Sequence, residues 1–230
     1  MARFTRLEVL TAMLRVGVTP IFHERDVDRA TGTLHALAEG EARLVEFTNR
    51  GTTAHDVFAS LERTARESLP SVILGAGSVL DVGTASHYIN LGASFIVSPT
   101  FDAAVACLCN RRRIAYLPGC GTATEVAVAE EHGCDIIKLF PGNAAGGPAF
   151  ISAVLGPSPA SRLMPTGGVD PTEASLREWF DAGAACVGIG SQLVPPHEVA
   201  SGSWRDITDR MREVRQFVDK VRPEQQEFWG

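Results

Sequence analysis

The chain has 230 residues, of which 45% are apolar and 21% charged, and its net charge at pH 7 is −6. This composition predicts a globular protein with ample material for a core. It disfavours general nucleic-acid binding, and no run of about 20 apolar residues predicts a membrane span. The five cysteines form no metal-binding pattern and the N-terminus lacks a signal-peptide pattern, so we expect reduced thiols in a cytoplasmic protein.

Strand-like apolar runs alternate with amphipathic segments along the chain. The first segment is an N-terminal helix whose apolar stripe consists of Phe4, Leu7, Leu10 and Leu14. Eight strand-like runs follow, at residues 18–22, 44–48, 71–75, 94–98, 114–117, 136–140, 162–165 and 186–189. Helical patterns lie between them, for example at 54–69, 84–91, 103–112, 124–132 and 172–182, and the last helix has a stripe made of Ile207, Met211, Val214, Val218 and Val221.

This alternation predicts an α/β fold with parallel strands and right-handed crossovers. Eight repeated units favour a closed (β/α)8 TIM barrel, with one extra N-terminal helix and a single domain over residues 1–230. The competing architecture is an open, doubly wound sheet. No Gly-x-Gly-x-x-Gly turn follows the first strand, which disfavours that alternative.

The use of lysine is the most specific chemical signal. The chain has two lysines, Lys138 and Lys220, against nineteen arginines, and Lys138 lies within an apolar strand. Burial of a charged amine is costly and favours the neutral, nucleophilic form, whereas arginine stays protonated. Lys138 is therefore a candidate to form a Schiff base with a carbonyl substrate. The alternative is a lysine whose stem crosses the sheet and carries its ammonium group to water.

The second strand carries two charged candidates. Side chains alternate along a strand, so Glu46, Thr48 and Arg50 should share one face while Val45 and Phe47 face the helices. Two charges pointing into a barrel need partners, and the structural alternative is that they pair with each other. The functional interpretation assigns proton transfer to Glu46 and capture of a substrate carboxylate to Arg50.

The same alternation applies to the sixth strand. If Ile137 and Leu139 contact the helices, Lys138 and Phe140 face the other way. Lys138 then points into the barrel, toward Glu46 and Arg50.

Glycine-rich turns end the seventh and eighth strands. Gly167 and Gly168 follow one, and Gly190 and Ser191 follow the other. Barrels often bind phosphate between these two loops through backbone N–H groups. Either turn alone is more often only a turn, but both together predict a phosphate site.

Other strand ends offer further substrate contacts. Ser78 and Thr166 have hydroxyls that could donate to a carboxylate, and Pro99 and Phe140 could form walls of a pocket. The alternative for each is turn chemistry or helix capping. For Thr122 and Thr124, capping is the preferred interpretation.

Several collinear segments together resemble a known family. They are residues 46–50 (Glu-Phe-Thr-Asn-Arg), 75–80 (Gly-Ala-Gly-Ser-Val-Leu), 97–99 (Val-Ser-Pro), 117–119 (Leu-Pro-Gly), 138–141 (Lys-Leu-Phe-Pro), 165–168 (Pro-Thr-Gly-Gly) and 190–191 (Gly-Ser). The ordered set, spread over about residues 15 to 220, resembles the class I aldolases that cleave 2-keto-3-deoxy-6-phosphogluconate (KDPG). That family also handles 4-hydroxy-2-oxoglutarate (KHG) and the galactonate analogue of KDPG.

The resemblance implies a TIM barrel, usually a homotrimer, that needs no metal or other cofactor. By position, Lys138 resembles the Schiff-base lysine, Glu46 the acid/base and Arg50 the carboxylate-binding arginine. The phosphate site of the family matches Gly167, Gly168, Gly190 and Ser191.

The chain departs from the commoner family pattern at two places. Ser78 stands where many members have threonine, and residues 141–147 read Pro-Gly-Asn-Ala-Ala-Gly-Gly where many have Pro-Ala-Glu. Substrate choice is therefore less determined than reaction type.

The predicted function is a carbon–carbon lyase acting on a small 2-oxo acid to give pyruvate and an aldehyde. Two alternatives use the same phosphate loops. A phosphosugar epimerase or synthase would not need a neutral lysine at position 138, and a non-catalytic barrel would bind a phosphorylated ligand without turnover.

Overall fold

The computed structural model describes residues 2–222 as parallel strands surrounded by helices. Within this range there are nine strands: β1 (Val18–Phe22), β2 (Leu44–Thr48), β3 (Ile73–Gly77), β4 (Phe95–Val97), β5 (Ala115–Leu117), β6 (Gly119–Cys120), β7 (Ile137–Leu139), β8 (Leu163–Pro165) and β9 (Val187–Ile189). The same range has ten helices: α1 (Arg6–Val16), α2 (Val27–Glu39), α3 (Ala54–Glu67), α4 (Val82–Leu91), α5 (Ala103–Arg112), α6 (Ala123–Glu131), α7 (Gly147–Leu155), α8 (Glu173–Asp181), α9 (Pro196–Ser201) and α10 (Trp204–Val221). None of these helices combines the length and apolar character needed to cross a membrane.

The strands form two parallel sheets. Six strands pair in the order β5-β4-β3-β2-β1-β9, and three pair in the order β6-β7-β8. A parallel bridge between Thr166 and Gly188 and a hydrogen bond from the Ala185 N–H to the Leu163 oxygen connect β8 with β9. The strand order has no reversal of the kind that defines an open, doubly wound sheet. The predicted α/β class with parallel strands is confirmed, and the sheet is curled.

Nine strands appear where eight were predicted because Pro118 separates β5 from β6. Proline has no backbone N–H and cannot donate to a sheet ladder. The third strand was predicted at residues 71–75, but β3 begins and ends two residues later. Its register with β2 extends from Leu44–Ile73 to Thr48–Gly77, so Gly75 and Gly77 both belong to the strand.

Several helices begin close to the residues that the sequence pattern predicts. Thr122 is the N-cap of α6 and forms a capping box with Glu125, which confirms its predicted role. Thr124 lies inside α6, so its predicted capping role was wrong. The apolar stripe of α10 is buried as predicted. In α1, by contrast, Leu7 is 76% exposed.

The alternation of side chains along the strands divides the core into two clusters. One lies between strands and helices and contains Val45, Phe47, Ile137 and Leu139. The other is enclosed by the strands and contains Leu44, Ile73, Phe95, Val97, Ala115, Leu117, Ile136, Met164 and Cys186. Val9 and Met13 of α1 belong to this second cluster, so α1 covers one end of the enclosed space.

Candidate active site

Glu46 lies on the inner face of β2. Its neighbours Val45 and Phe47 pack against the helices, and the Glu46 side chain is 1% exposed. The adjacent strand β3 provides room for it, because Gly75 pairs with Glu46 and Gly77 pairs with Thr48. A Cβ built on Gly77 would lie 1.9 Å from Glu46 Oε1. The carboxylate therefore occupies the space left by a missing side chain.

Lys138 lies on the inner face of β7, as the alternation predicts. Its side chain is 8% exposed, and its Nζ is 3.6 Å from Glu46 Oε1. The same nitrogen is 5.3 Å from the centre of the Phe140 ring. The alternative of an ammonium group carried out to water does not fit this burial. The amine is instead enclosed beside a carboxylate and an aromatic wall.

The separation between Lys138 and Glu46 is longer than a normal hydrogen bond. The second carboxylate oxygen, Oε2 of Glu46, is buried and has no hydrogen-bond partner among residues 2–222. A buried carboxylate oxygen without a donor is costly, so such a group commonly marks a place where a ligand or water binds. The pair thus combines an amine, a carboxylate and an unused acceptor.

Arg50 lies two residues past the end of β2, where its side chain is exposed. Within the part of the chain that the structure describes, Lys138 is the cation paired with Glu46, and Arg50 forms no ion pair. The structural alternative in which Glu46 and Arg50 pair with each other was therefore wrong. His23 lies near this strand end, with its Nδ1 3.2 Å from the Thr48 oxygen. Burial lowers the pKa of His23, and the positive charge of Arg50 acts in the same direction.

The two glycine turns are brought side by side. Gly167 and Gly168 have φ of +88° and +84°, a conformation that glycine adopts without strain, and both are exposed. Gly190 is half-buried and Ser191 is exposed. The Gln192 side-chain amide donates to Asp170 Oδ1 at 3.1 Å, and the Thr166–Gly188 bridge joins the strand ends beneath. The turns at Gly167–Gly168 and at Gly190–Ser191 therefore follow neighbouring strands.

The remaining predicted residues follow strand ends. Ser78 comes directly after β3, half-buried and with a φ of +56°. Pro99 and Phe140 are half-buried at the ends of β4 and β7. Thr166 is buried, and its hydroxyl has no hydrogen-bond partner within residues 2–222.

Two residues near the site were missed. Thr19 lies on β1 opposite Gly188, and its hydroxyl is buried without a partner among the described residues. Its alternation with Ile21 could have placed it inside. Asn143 packs on Gly168, a loop-to-loop contact that no local sequence pattern predicts. Among residues 2–222, no group of three or more His, Cys, Asp or Glu residues is arranged to hold a metal ion.

Comparison with known proteins gives consistent matches. A family model described as KDPG and KHG aldolase matches residues 9–210. The 2-dehydro-3-deoxy-phosphogluconate aldolase of Treponema pallidum (strain Nichols) is 32% identical over 212 residues, which cover 92% of this chain and 98% of that protein. The enzyme of the same name from Pseudomonas aeruginosa is 37% identical over 183 residues, 78% of this chain and 79% of that protein.

Solved structures show the same relationship. KDPG aldolase from Legionella pneumophila, with pyruvate captured at low pH as a covalent carbinolamine intermediate, superimposes with a TM-score of 0.81 at 27% identity and covers 88% of this chain and 96% of its own. The 2-keto-3-deoxy-6-phosphogluconate aldolase of Zymomonas mobilis ZM4, solved with 3-phosphoglycerate, gives a TM-score of 0.79 at 27% identity, with coverages of 90% and 95%.

Proposed function

Because this chain belongs to the KDPG and KHG aldolase family, a family of carbon–carbon lyases, we propose that it is a Schiff-base aldolase acting on KDPG-like sugar acids or KHG. The products are pyruvate and an aldehyde. The resemblance inferred from the ordered sequence motifs is confirmed at the level of the family. One observation supports the activity above all others: the Lys138 amine is enclosed within the fold, 3.6 Å from a buried carboxylate.

The reaction begins at the ketone of the 2-oxo acid. The neutral Lys138 nitrogen adds to the carbonyl carbon and forms a carbinolamine, and loss of water gives an iminium ion. The iminium accepts electrons that the ketone could not accept as readily.

Glu46 supplies the proton transfers. Its partnerless Oε2 can bind a water through which it removes the proton of the C4 hydroxyl. The O–H electrons form the aldehyde carbonyl, the C3–C4 bond breaks, and its electron pair passes into the iminium to give an enamine. The enamine is then protonated at C3, and addition of water releases pyruvate and regenerates the Lys138 amine.

Binding groups surround this pair. Arg50 binds the carboxylate of the 2-oxo acid at the mouth of the site, and so orients the ketone for attack. Ser78 and Thr166 donate hydroxyl hydrogen bonds to the same carboxylate, and Pro99 and Phe140 form the walls. The phosphate of a phosphorylated substrate binds at the far end, on the backbone of the loops that hold Gly167, Gly168, Gly190 and Ser191.

The finer architecture belongs to the same proposal. If β5 and β6 count as one strand interrupted by Pro118, the two sheets and the Thr166–Gly188 bridge support closure into a single-domain (β/α)8 barrel. The family resemblance supports a homotrimer in the cytoplasm that needs no metal or other cofactor.

Trapping with borohydride tests the covalent mechanism directly. Reduction in the presence of pyruvate should attach a reduced pyruvyl group to Lys138, located by peptide mass mapping. Lys220 is an internal control, because it is exposed and ion-paired with Glu173 at 2.6 Å. Lys138→Arg should abolish the adduct and the release of pyruvate, measured with lactate dehydrogenase. An unmodified Lys138 in the wild type, or an active Lys138→Arg variant, would refute the proposal in favour of an epimerase, a synthase or a binding protein.

A further inference from the structure

Two buried threonines differ from the others in how their hydroxyls are bonded. Within residues 2–222 the buried threonines are Thr19, Thr33, Thr48, Thr166 and Thr208. The hydroxyls of Thr33, Thr48 and Thr208 donate to backbone oxygens, at 2.9, 3.3 and 3.0 Å. The hydroxyls of Thr19 and Thr166 have no hydrogen-bond partner in the part of the chain that the structure describes. A buried hydroxyl without a partner is costly, so a bound molecule is expected at these two.

Thr19 and Thr166 lie on either side of Gly188. Gly188 pairs with Thr19 of β1 on one side and forms a bridge with Thr166 on the other. Val187 and Ile189 pack toward the helices, so Gly188 faces the enclosed space. A Cβ built on Gly188 would lie 2.5 Å from Thr166 Oγ1. The Thr166 hydroxyl therefore extends over the inner face of Gly188, in the space that a side chain would fill.

The two hydroxyls are separated by one intervening strand. Neighbouring strands are about 4.8 Å apart, so the α-carbons of Thr19 and Thr166 are separated by roughly 10 Å. Side chains on the inner face of a curled sheet converge, which brings the two hydroxyls closer than their α-carbons. A water that bonds to two oxygens at about 2.8 Å each bridges roughly 5 to 6 Å, and two polar partners suffice to hold it.

We infer that Thr19 is a positioning residue for the reaction. Its hydroxyl and that of Thr166 hold a buried water between them, and this water fixes the Thr166 hydroxyl as a donor to the carboxylate of the 2-oxo acid. The inference rests on the aldolase function proposed above.

The direction of the hydrogen bonds follows from the inventory of protons. Each hydroxyl has one proton to donate and can also accept. Thr19 donates to the water, the water donates to the Thr166 oxygen, and the Thr166 proton is left for the substrate carboxylate. Hydrogen bonds that run in one direction polarise and strengthen one another. Without the Thr19 hydroxyl the water loses one of its partners, and the Thr166 proton is free to turn away from the substrate.

Thr19→Val tests this role, because it keeps the branched shape and replaces the hydroxyl with a methyl group. The KM for the substrate should rise about 3- to 10-fold with a smaller change in kcat, the usual effect of one neutral hydrogen bond. The rise should be the same for KDPG and KHG, since both carry the carboxylate. Thr19→Ser, which keeps the hydroxyl, should retain the wild-type KM.

A double variant tests whether Thr19 acts through Thr166. Thr166→Val should raise KM more than Thr19→Val does, because it removes the donor itself. Combining the two substitutions should raise KM no further than Thr166→Val alone. Additive losses would show that Thr19 acts independently of Thr166 and would overturn the inference.

Folding stability separates positioning from support of the fold. Thr208→Val is the matched control, because the Thr208 hydroxyl is buried and bonded to the Ala36 oxygen. This variant should lower the urea midpoint and leave KM unchanged. Thr19→Val should not lower the midpoint, because its hydroxyl has no protein partner among residues 2–222. A rise in KM accompanied by a lower midpoint in Thr19→Val would assign Thr19 to the fold instead.

Crystallography provides the direct test. A crystal structure of the wild type should show an ordered water within hydrogen-bond distance of both hydroxyls, and one of Thr19→Val should not. The inference is overturned if the wild type lacks this water or if Thr19→Val has the wild-type KM. Saturating pyruvate should still be trapped on Lys138 in Thr19→Val. Failure to trap pyruvate in the wild type would refute the aldolase itself, whatever the crystal structures show.

Discussion

The carboxylate of Glu46 rests against the α-carbon of Gly77, so that a Cβ at Gly77 would lie 1.9 Å from Glu46 Oε1. No real contact is that short, and Gly77→Ala must displace the carboxylate or the strand. We expect kcat to fall about 100-fold, because small displacements of a reacting group have effects of this order. The overpacking should also lower the free energy of unfolding by about 1–3 kcal/mol.

A matched glycine provides the control for Gly77→Ala. At Gly156 a Cβ would lie 3.6 Å from the Ala153 backbone oxygen and 3.8 Å from that of Ser152, which is ordinary contact. Gly156→Ala should therefore retain activity. Full activity in Gly77→Ala would show that the position of Glu46 is not important for turnover.

Replacing the carboxylate itself tests proton transfer. Glu46→Gln keeps the shape of the side chain but removes the acid/base, so kcat should fall about 10²- to 10⁴-fold. Pyruvate should still be trapped on Lys138, since the amine remains. Glu62→Gln is the control, because Glu62 is also buried but pairs with Arg3 and Arg66. Glu62→Gln should lower the free energy of unfolding and leave kcat unchanged. A similar loss of kcat in Glu46→Gln and Glu62→Gln would argue against a specific role for Glu46.

The alternation of side chains along strands explains why Glu46 and Lys138 could be predicted. Each lies within a strand whose flanking residues are apolar, and burial of those residues against helices requires the polar side chain to point inward. Arg50 lies past the last strand residue, Thr48, where alternation no longer fixes direction. Its partner could therefore not be predicted from spacing, and the structural alternative that paired it with Glu46 was wrong.

Contacts between loops could not be predicted from the sequence. Asn143 and Gly168 are far apart along the chain and meet only because β7 and β8 are neighbours. Likewise, the break at Pro118 can be expected from proline chemistry, but whether β5 and β6 belong to one sheet depends on how the strands close. Such features depend on tertiary structure, and local patterns carry no signal for them.

Arg50 should act on binding more than on turnover. Arg50→Lys keeps the positive charge but loses the planar, two-pronged contact with a carboxylate. We expect KM for the 2-oxo acid to rise about 10-fold with a smaller change in kcat, an effect of the size of one charged hydrogen bond. Steady-state kinetics measures this split. Arg63→Lys, on the exposed part of α3, should behave like the wild type, and an unchanged KM in Arg50→Lys would remove Arg50 from the site.

The capping box of α6 should make stability depend on pH. The Glu125 carboxylate accepts hydrogen bonds from the Gly121 N–H, the Thr122 hydroxyl and the Thr122 N–H. These bonds, that of Gly121 most of all, lower the pKa of the Glu125 carboxyl below its ordinary value of 4.5. The folded state thus favours the charged form, so this stabilisation is present above pH 4.5 and is lost as the pH falls through the folded-state pKa. Glu125→Ala should lower the free energy of unfolding by about 1 kcal/mol at pH 7.

Urea denaturation at several pH values checks the role of Glu125. The difference between Glu125→Ala and the wild type should shrink below pH 4.5, as the wild-type carboxyl becomes protonated. Glu125→Gln keeps an acceptor that cannot titrate, and its stability relative to Glu125→Ala should not vary with pH. A constant difference between Glu125→Ala and the wild type down to pH 3 would contradict the assignment.

The thiols should differ sharply in reactivity. Cys107 is exposed, whereas Cys109, Cys120, Cys134 and Cys186 are buried, and burial raises the pKa of each of these four to about 12. Since the thiolate is the reactive form, a disulfide reagent such as DTNB should modify one thiol per chain rapidly at pH 8. Cys107→Ser should remove this fast phase, and unfolding in guanidinium should expose the remaining thiols. Saturation with pyruvate should leave the reaction rate of Cys107 unchanged, because Cys107 lies on α5 and not at the strand ends. A second fast-reacting thiol in the folded wild type would show that one of the four buried cysteines becomes accessible to solvent.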